Sequence, residues 1–412
     1  WGVTKNRKGS NLKNFFYKAL VIFFLSPSML SSSSENILKC DGNFDVFLAN
    51  FYRIAIASGV SMEAARVSIS NSKHLERVIY LDRNQKAFQL GFNDFSARSI
   101  NDYRLINGKK KIRHFAKTFE KVKKKYGVPP EVITAFWAME TDFGAVQGNF
   151  HTLSALATLA HDCRRAHFFQ QEFLSSMRLV EQGKISPETS RGAWAGELGH
   201  IQMLPTDILN FGSDGDNDGK VLIARSPEDA IVTAAKMLSS KGWRKNQPWM
   251  EEVSLPDNFP WREAGFSRER TLKSWRKLGV LPKNNDQFQA GDKIIATLLL
   301  PQGRKGPKFL AYPNFKIFLS WNDSFIYATS AAFLANKFIG VENFNKGNPD
   351  PILKKNRIVE LQNFLKGLGD DVGEVDGIIG AKTRQAVRRI QILLSMPADS
   401  WPTEKLLDVL GI

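Results

Sequence analysis

The sequence predicts an α+β protein dominated by helix, with a small three-helix domain at its C-terminal end. Three observations carry this expectation. Apolar residues recur at three- and four-residue spacing over most of Cys40 to Val341. The stretch Ile294 to Tyr312 switches to I-I-A-T-L-L-L and P-K-F-L-A-Y around P-Q-G-R-K-G, the pattern of a small β-hairpin. The segment N-F-N-K-G-N-P-D-P is a polar linker that sets residues 352–412 apart. A chain of 412 residues, 43% hydrophobic and 11% aromatic, is long enough for two or three domains and too apolar to be disordered.

At the N-terminal end, Lys5, Arg7, Lys8, Lys13 and Lys18 occur without an acid and precede the apolar run Ala19–Leu25 and the serine-rich S-P-S-M-L-S-S-S-S. This is the layout of a secretory signal peptide over residues 1–34, although no clean A-x-A site is visible. The alternative is a disordered or helical extension. The run is too short to span a bilayer, so no transmembrane span is expected in the mature chain. Because the chain starts at Trp1, the true start is expected upstream. Without those five cations the net charge of +16 falls to +11, still basic enough to favour an anionic partner. Cys40 and Cys163 either pair in an oxidising compartment or are two separate buried thiols.

Ile112 to Tyr126 reads as one basic amphipathic helix ending at Gly127, with K-V-K-K-K as a solvated face. The next segment, V-P-P-E-V-I-T-A-F-W-A-M-E-T-D-F-G, has prolines suited to a first helical turn and Gly144 as a stop. Ile133, Phe136, Trp137 and Glu140 fall at i, i+3, i+4 and i+7, so a carboxylic acid extends an apolar stripe. Burial and the negative end of the helix dipole both raise its pKa, and an acid that stays protonated near neutral pH can donate its proton. The alternative is a glutamate that packs its stem and reaches water with its head. Asp142, about 200° around the helix, faces elsewhere.

Further helices are expected at Thr152–Ala160, Ala166–Gln182 and Pro227–Lys241. Phe173 and Met177 read as core. Beyond the linker at 342–351, the unit at 352–412 contains a helix closed by Gly369, a turn at Asp376–Gly377, a second helix after Gly380, and a third short helix after Pro402.

The six histidines make no H-E-x-x-H, and two cysteines cannot build a structural zinc site. The absence of G-x-S-x-G and of a phosphate loop argues against serine hydrolases and nucleotide-dependent enzymes. What remains is R-G-A-W-A-G-E-L-G-H-I-Q-M-L-P, Arg191 to Pro205, where Gly192, Gly196 and Gly199 allow close backbone approach ahead of Gln202.

Taken together, W-A-M-E-T-D-F-G, L-A-T-L-A-H-D-C-R-R, G-A-W-A-G-E-L-G-H-I-Q-M-L-P, D-G-D-N-D-G, S-P-E-D-A and N-F-K-I-F-L-S-W-N-D-S-F-I-Y-A resemble the lytic murein transglycosylase B family. E-L-Q-x-x-L, D-G-x-x-G-x-x-T and A-V-R-R-I-Q resemble the small three-helix peptidoglycan-binding domain. The resemblance implies a lysozyme-like catalytic domain over 40–341 and a wall-binding domain over 352–412. It also implies non-hydrolytic cleavage of the bond between N-acetylmuramic acid and N-acetylglucosamine, leaving 1,6-anhydromuramic ends, with Glu140 as acid and then base. A hydrolase ordinarily needs a second carboxylate about 5–10 Å away, and the sequence offers one good candidate.

By the same resemblance, Gln202 bonds the sugar, Arg164 and Arg165 flank the cleft, and Asn322 and Tyr327 line the far wall. Trp321 stands where a tyrosine is common and either stacks on a sugar or belongs to the core. The arginine pair is either a substrate contact or a structural ion-pair partner. Ala193 replaces a serine, Phe95 a cleft tyrosine, and Met203 the aromatic expected after the glutamine, each altering subsite affinity.

Asp214, Asp216 and Asp218 have the spacing of a calcium loop, with Arg225 where its closing glutamate belongs and Asp229 as the substitute that the resemblance suggests. An empty Asp-rich turn is the alternative. No cofactor is required, and calcium would be structural. The expected location is the periplasm, with glycan strands and stem peptides as partners and no nucleic acid. Two other readings are a hydrolytic muramidase and a catalytically inactive wall-binding protein.

Overall fold

Apolar spacing of three and four residues buries one stripe of each helix, and the stripes meet in four hydrophobic clusters among the described residues. A computed structural model describes residues 38–84, 90–265, 268–283 and 287–412. The leader expected over 1–34 lies outside the described residues. No helix among them is long and apolar enough to cross a membrane.

The largest cluster is built by helices Asp102–His114, Ala116–Tyr126, Pro130–Thr141, Pro205–Phe211, Pro227–Ser240, Phe315–Trp321 and Phe325–Phe338. The expected single helix over Ile112–Tyr126 is broken at Phe115. That residue leaves helical geometry at φ −97° and ψ 24° and buries its ring 5.8 Å from that of Trp137. A second cluster joins helices Phe44–Ala57, Met62–Ser70, Thr152–His161 and Ala166–Glu181. Cys40 and Cys163 are bonded at its edge, with Cα atoms 5.1 Å apart.

The described strands are β1 (Phe150–His151), β2 (Arg191–Gly192), β3 (Met250–Ser254), β4 (Glu269–Thr271), β5 (Leu281–Pro282), β6 (Ile295–Leu299) and β7 (Phe309–Ala311). β1 and β2 form a small antiparallel pair. The expected hairpin is β6 with β7, registered Thr297 to Ala311, but it belongs to a five-stranded antiparallel sheet of order β4-β6-β7-β3-β5. β3 reads as polar because of Glu251 and Glu252, yet both are buried. Tyr312 donates to Glu251, and Lys283 stands 2.8 Å from Glu252. Burial pushes the Glu251 carboxyl up to about 7.

Helices Lys355–Gly367, Ala381–Leu393 and Glu404–Leu410 make the fourth cluster. Residues 342–351 have neither helix nor strand, yet they are fastened to the sheet. Phe344 packs against Phe92, Phe309 and Phe333, Asn345 N–H donates to Glu252, and Lys305 pairs with Asp350 at 2.6 Å. Arg384 has only 2% of its surface exposed. Its guanidinium donates to the carbonyls of Leu300 (3.4 Å) and Pro301 (2.7 Å) and lies between the rings of Phe325 and Trp401. Burial pulls its pKa down to about 10.

Arg384→Ala leaves two buried carbonyls without their donor and opens a void between two rings. The expected loss is about 3 kcal/mol of stability. Denaturant unfolding measures it, and limited proteolysis should cut first between 341 and 355.

Candidate active site

The Pro130–Thr141 helix begins on the two prolines and is buried from Val132 to Ala138. It ends one turn before the expected stop, because Asp142, Phe143 and Gly144 all take positive φ, at 48°, 65° and 88°. At Gly144 a Cβ would lie 2.1 Å from His200 Nδ1, so the turn needs glycine for space as well as for φ. Trp137 Nε1 donates to His200 Nδ1 at 3.2 Å, and Thr141 Oγ1 donates to the His200 carbonyl at 2.5 Å. Burial pushes His200 down to about 4, which keeps its ring neutral and able to accept. These bonds lock the end of the helix to the Arg191–Pro205 loop.

Glu140 occupies the last turn. Trp321 Nε1 donates to its Oε1 at 2.8 Å, and the Tyr327 hydroxyl donates to the same oxygen. Burial of the carboxyl raises its pKa, and these two donors act against that by favouring the ionised form. With Oε1 accepting twice, Oε2 is the oxygen left to carry a proton. Burial and the neighbouring carboxyl hold Tyr327 well above its ordinary value, so it remains a donor. Trp321 is positioned by stacking on Phe136, at 4.4 Å between ring centroids. Asp142 faces away from this oxygen pair and binds Arg104 Nε at 2.6 Å.

A second carboxyl acts on Glu140. Glu197 raises Glu140 by its charge, and its own pKa is raised by burial; its Oε2 is buried without a hydrogen-bond partner. Sequence reasoning counted one candidate carboxylate and missed this one. The period-free, glycine-rich stretch A-W-A-G-E-L-G gives no signal of which way a side chain points.

The loop itself is closed by the paired backbones of Leu198 and Met203, with Gln202 at its tip and φ of 49°. Gln202 Nε2 donates to the carbonyls of Gln147 and Gly199, both at 3.1 Å, so its amide nitrogen is held by backbone. Met203 corrects the sequence expectation: it is 2% exposed and packs in the main cluster, where its side chain cannot line a cleft. Arg164 and Arg165 both engage Asp82, which is itself buried, and Arg165 also lies over Phe169. Arg165 is close enough to Glu197 to favour its ionised form. Asn322 accepts from Ser324 N–H at 2.9 Å and is not bonded to Glu140.

Asp214, Asp216 and Asp229 each place a carboxylate oxygen within 4.8 Å of the others, whereas Asp218 stands outside this set and accepts from Lys220 N–H. Three converging carboxylates suit a hard cation. They also tie the loop without one: Asp229 accepts from Gly215 N–H (2.7 Å) and Leu222 N–H (2.6 Å), and Asp214 accepts from Asn217 and Gly219.

Two outcomes follow from this geometry. Tyr327→Phe removes a donor that favours ionised Glu140, so the Glu140 carboxyl should titrate at higher pH than in the parent, read by infrared difference spectroscopy of the carboxyl band. If the Asp loop holds calcium, chelator should lower the unfolding temperature and added calcium restore it, with Asp216→Ala abolishing the response. No change with chelator would leave the loop standing on its own hydrogen bonds.

Comparison with known proteins places the chain in a family. Residues 43–336 match the Transglycosylase SLT domain, and residues 354–410 match a putative peptidoglycan binding domain. Membrane-bound lytic murein transglycosylase B of Escherichia coli K12 is 30% identical over 207 residues, an alignment covering 49% of this chain and 55% of that protein. The chain thus spans about half the length of that curated relative. SltB3 from Pseudomonas aeruginosa, solved with NAG-anhNAM-pentapeptide, superposes with a TM-score of 0.84 at 32% identity, covering 90% of this chain and 100% of that one. The Escherichia coli lytic transglycosylase Slt35, solved with calcium, shares the fold at a TM-score of 0.63 and 24% identity, covering 74% of this chain and 97% of that one. With the family match running from the Phe44–Ala57 helix through the Tyr327 helix, the chain belongs to the Transglycosylase SLT domain family.

Proposed function

We propose that the protein is a lytic transglycosylase that cleaves peptidoglycan strands between N-acetylmuramic acid and N-acetylglucosamine without consuming water. The observation that carries this reading is the buried Glu140 carboxyl, with two donors on Oε1 and Oε2 left for the proton. Glu140 gives that proton to the glycosidic oxygen as its bond to the anomeric carbon breaks, and the substrate's N-acetyl group supports the positive charge. The carboxylate, now held by Trp321 and Tyr327, takes the proton of the muramic 6-hydroxyl. That oxygen bonds the anomeric carbon, leaving a 1,6-anhydro end and a neutral Glu140. Because the attacking hydroxyl is tethered, the step gains from proximity.

SltB3 has been solved with NAG-anhNAM-pentapeptide and with NAG-NAM-pentapeptide, which supports a substrate of this class. The reaction uses no cofactor, and calcium at Asp214, Asp216 and Asp229 would be structural. Residues 354–410 supply a second grip on the wall. In this reading residues 1–34 direct export, 342–351 join catalytic and wall-binding domains, and the mature protein works in the periplasm on glycan strands carrying stem peptides.

Glu197 favours one other reading, a hydrolytic muramidase in which a second carboxylate activates water. Burial raises the Glu197 pKa, which disfavours the ionised form that such a base requires, although Arg165 works in the other direction. Mass spectrometry of digested sacculi should find anhydro ends, one water lighter than reducing ends. Glu140→Gln should lower product release at least about a thousandfold, the scale expected for loss of both acid and base roles. Reducing ends that disappear with Glu197→Gln would instead establish hydrolysis.

A further inference from the structure

A cavity of about 400 Å³ lies behind the loop that carries Gln202. Its floor is aliphatic, formed by Leu198, Ile208 and Ile223, each nearly fully buried, with Val221 and Leu222 beside them. Its rim carries the cations Lys184, Arg191 and Arg225 and three hydroxyl side chains, and no carboxylate lines it. Glu188, in the same turn, is exposed and takes a hydrogen bond from Ser186 at 2.9 Å. Arg191 donates only to the carbonyls of Glu188 and Ser190, and no ion pair engages Lys184, Arg191 or Arg225 among the described residues. Lys184 is held below its ordinary value by burial and then by the charge of Lys236.

The cavity and the active site share one loop. Gln202 Nε2 donates to the Gln147 carbonyl, and Gln147 Nε2 donates to the carbonyl of Ala224, which lines the cavity (both 3.1 Å). From the other direction, His200 N–H donates to the carbonyl of Ile223 on the cavity floor at 3.1 Å.

We propose that this cavity is a subsite for the free carboxylate end of a short peptide with small aliphatic side chains, carried on the strand that Glu140 cuts. Lys184, Arg191 and Arg225 receive the carboxylate, and the aliphatic floor takes the side chains. The identity of the strand rests on the transglycosylase reading; the affinity for a peptide carboxylate does not. A phosphate group shares the anionic chemistry, but it is hydrated on all sides and gains nothing from five aliphatic residues.

The test uses the whole chain and the variant K184Q/R191Q/R225Q. Substrates are glycan strands bearing tetrapeptide stems and the same strands stripped of peptide by an amidase, and binding of the free stem tetrapeptide is measured by calorimetry. On peptide-bearing strands the variant should raise KM about tenfold, the scale of one lost charge-assisted hydrogen bond, with kcat held. On stripped strands KM should match the parent, and the tetrapeptide should bind the parent alone. An equal loss on both strands, or tetrapeptide affinity unaltered in the variant, overturns the subsite. Competition by millimolar inorganic phosphate where the tetrapeptide does not compete would assign the cavity to a phosphate instead. If the parent cuts neither strand, the functional reading fails, and calorimetry still decides the cavity. Should the triple variant not fold, Arg225→Glu, at an exposed position, replaces it, and undiminished tetrapeptide affinity there also overturns the subsite.

Discussion

The structure of the site depends on one contest over the Glu140 carboxyl. Its surroundings withdraw it from water, which costs an ionised carboxylate several kcal/mol. Against this stand Trp321 and Tyr327, whose donors meet the same oxygen and would each contribute roughly 1.5–3 kcal/mol to the charged form. Burial is the larger effect and leaves the carboxyl with a raised pKa, while the two donors work to keep the ionised form accessible. The proposed acid-then-base role of Glu140 draws on both effects. The packing that secures it is local on one side and distant on the other: Trp321 stacks on Phe136, one turn before Glu140 on the same helix, although it lies far along the chain.

That division explains what was legible in the sequence. The spacing of Ile133, Phe136, Trp137 and Glu140 reveals an acid on an apolar stripe, since helical period is local information. The two donors come from a segment brought up by tertiary packing, so only family resemblance could point to Asn322, Tyr327 and Trp321. Even then it suggested sugar-facing positions rather than partners of the acid. Met203 was misassigned because an isolated residue after a glutamine says nothing about whether its loop turns inward. β3 was missed because two glutamates interrupt its pattern, and the Tyr312 and Lys283 groups that make their burial tolerable are remote in sequence. Arg384 belongs to the same class. On an isolated amphipathic helix an arginine marks the solvent face, but here that face is covered by the rest of the chain.

Covering that face has a consequence for the site. Phe325, against which the Arg384 guanidinium rests, is two residues before Tyr327 on the same buried helix. Leu300 and Pro301, whose carbonyls Arg384 binds, follow directly on β6. The 354–410 unit is therefore braced against both the sheet and the helix that supplies a donor to Glu140. Residues 342–351, pinned by Phe344, Asn345 and Asp350, leave little slack for it to swing as a tethered anchor would.

A second electrostatic chain reaches Glu140 from the opposite side, and its signs alternate. Buried Asp82 holds Arg165, Arg165 favours the ionised form of Glu197, and the charge of Glu197 favours the neutral form of Glu140. At Glu140 this charge ranks behind burial and the two donors. Arg165 then influences Glu140 without touching it: by favouring charge on Glu197, it indirectly favours the neutral form of Glu140. If Glu140 gives up its proton as proposed, the same repulsion from an ionised Glu197 favours taking one back. Burial and this charge therefore act in the same sense on Glu140, both favouring its neutral form against the two donors on Oε1.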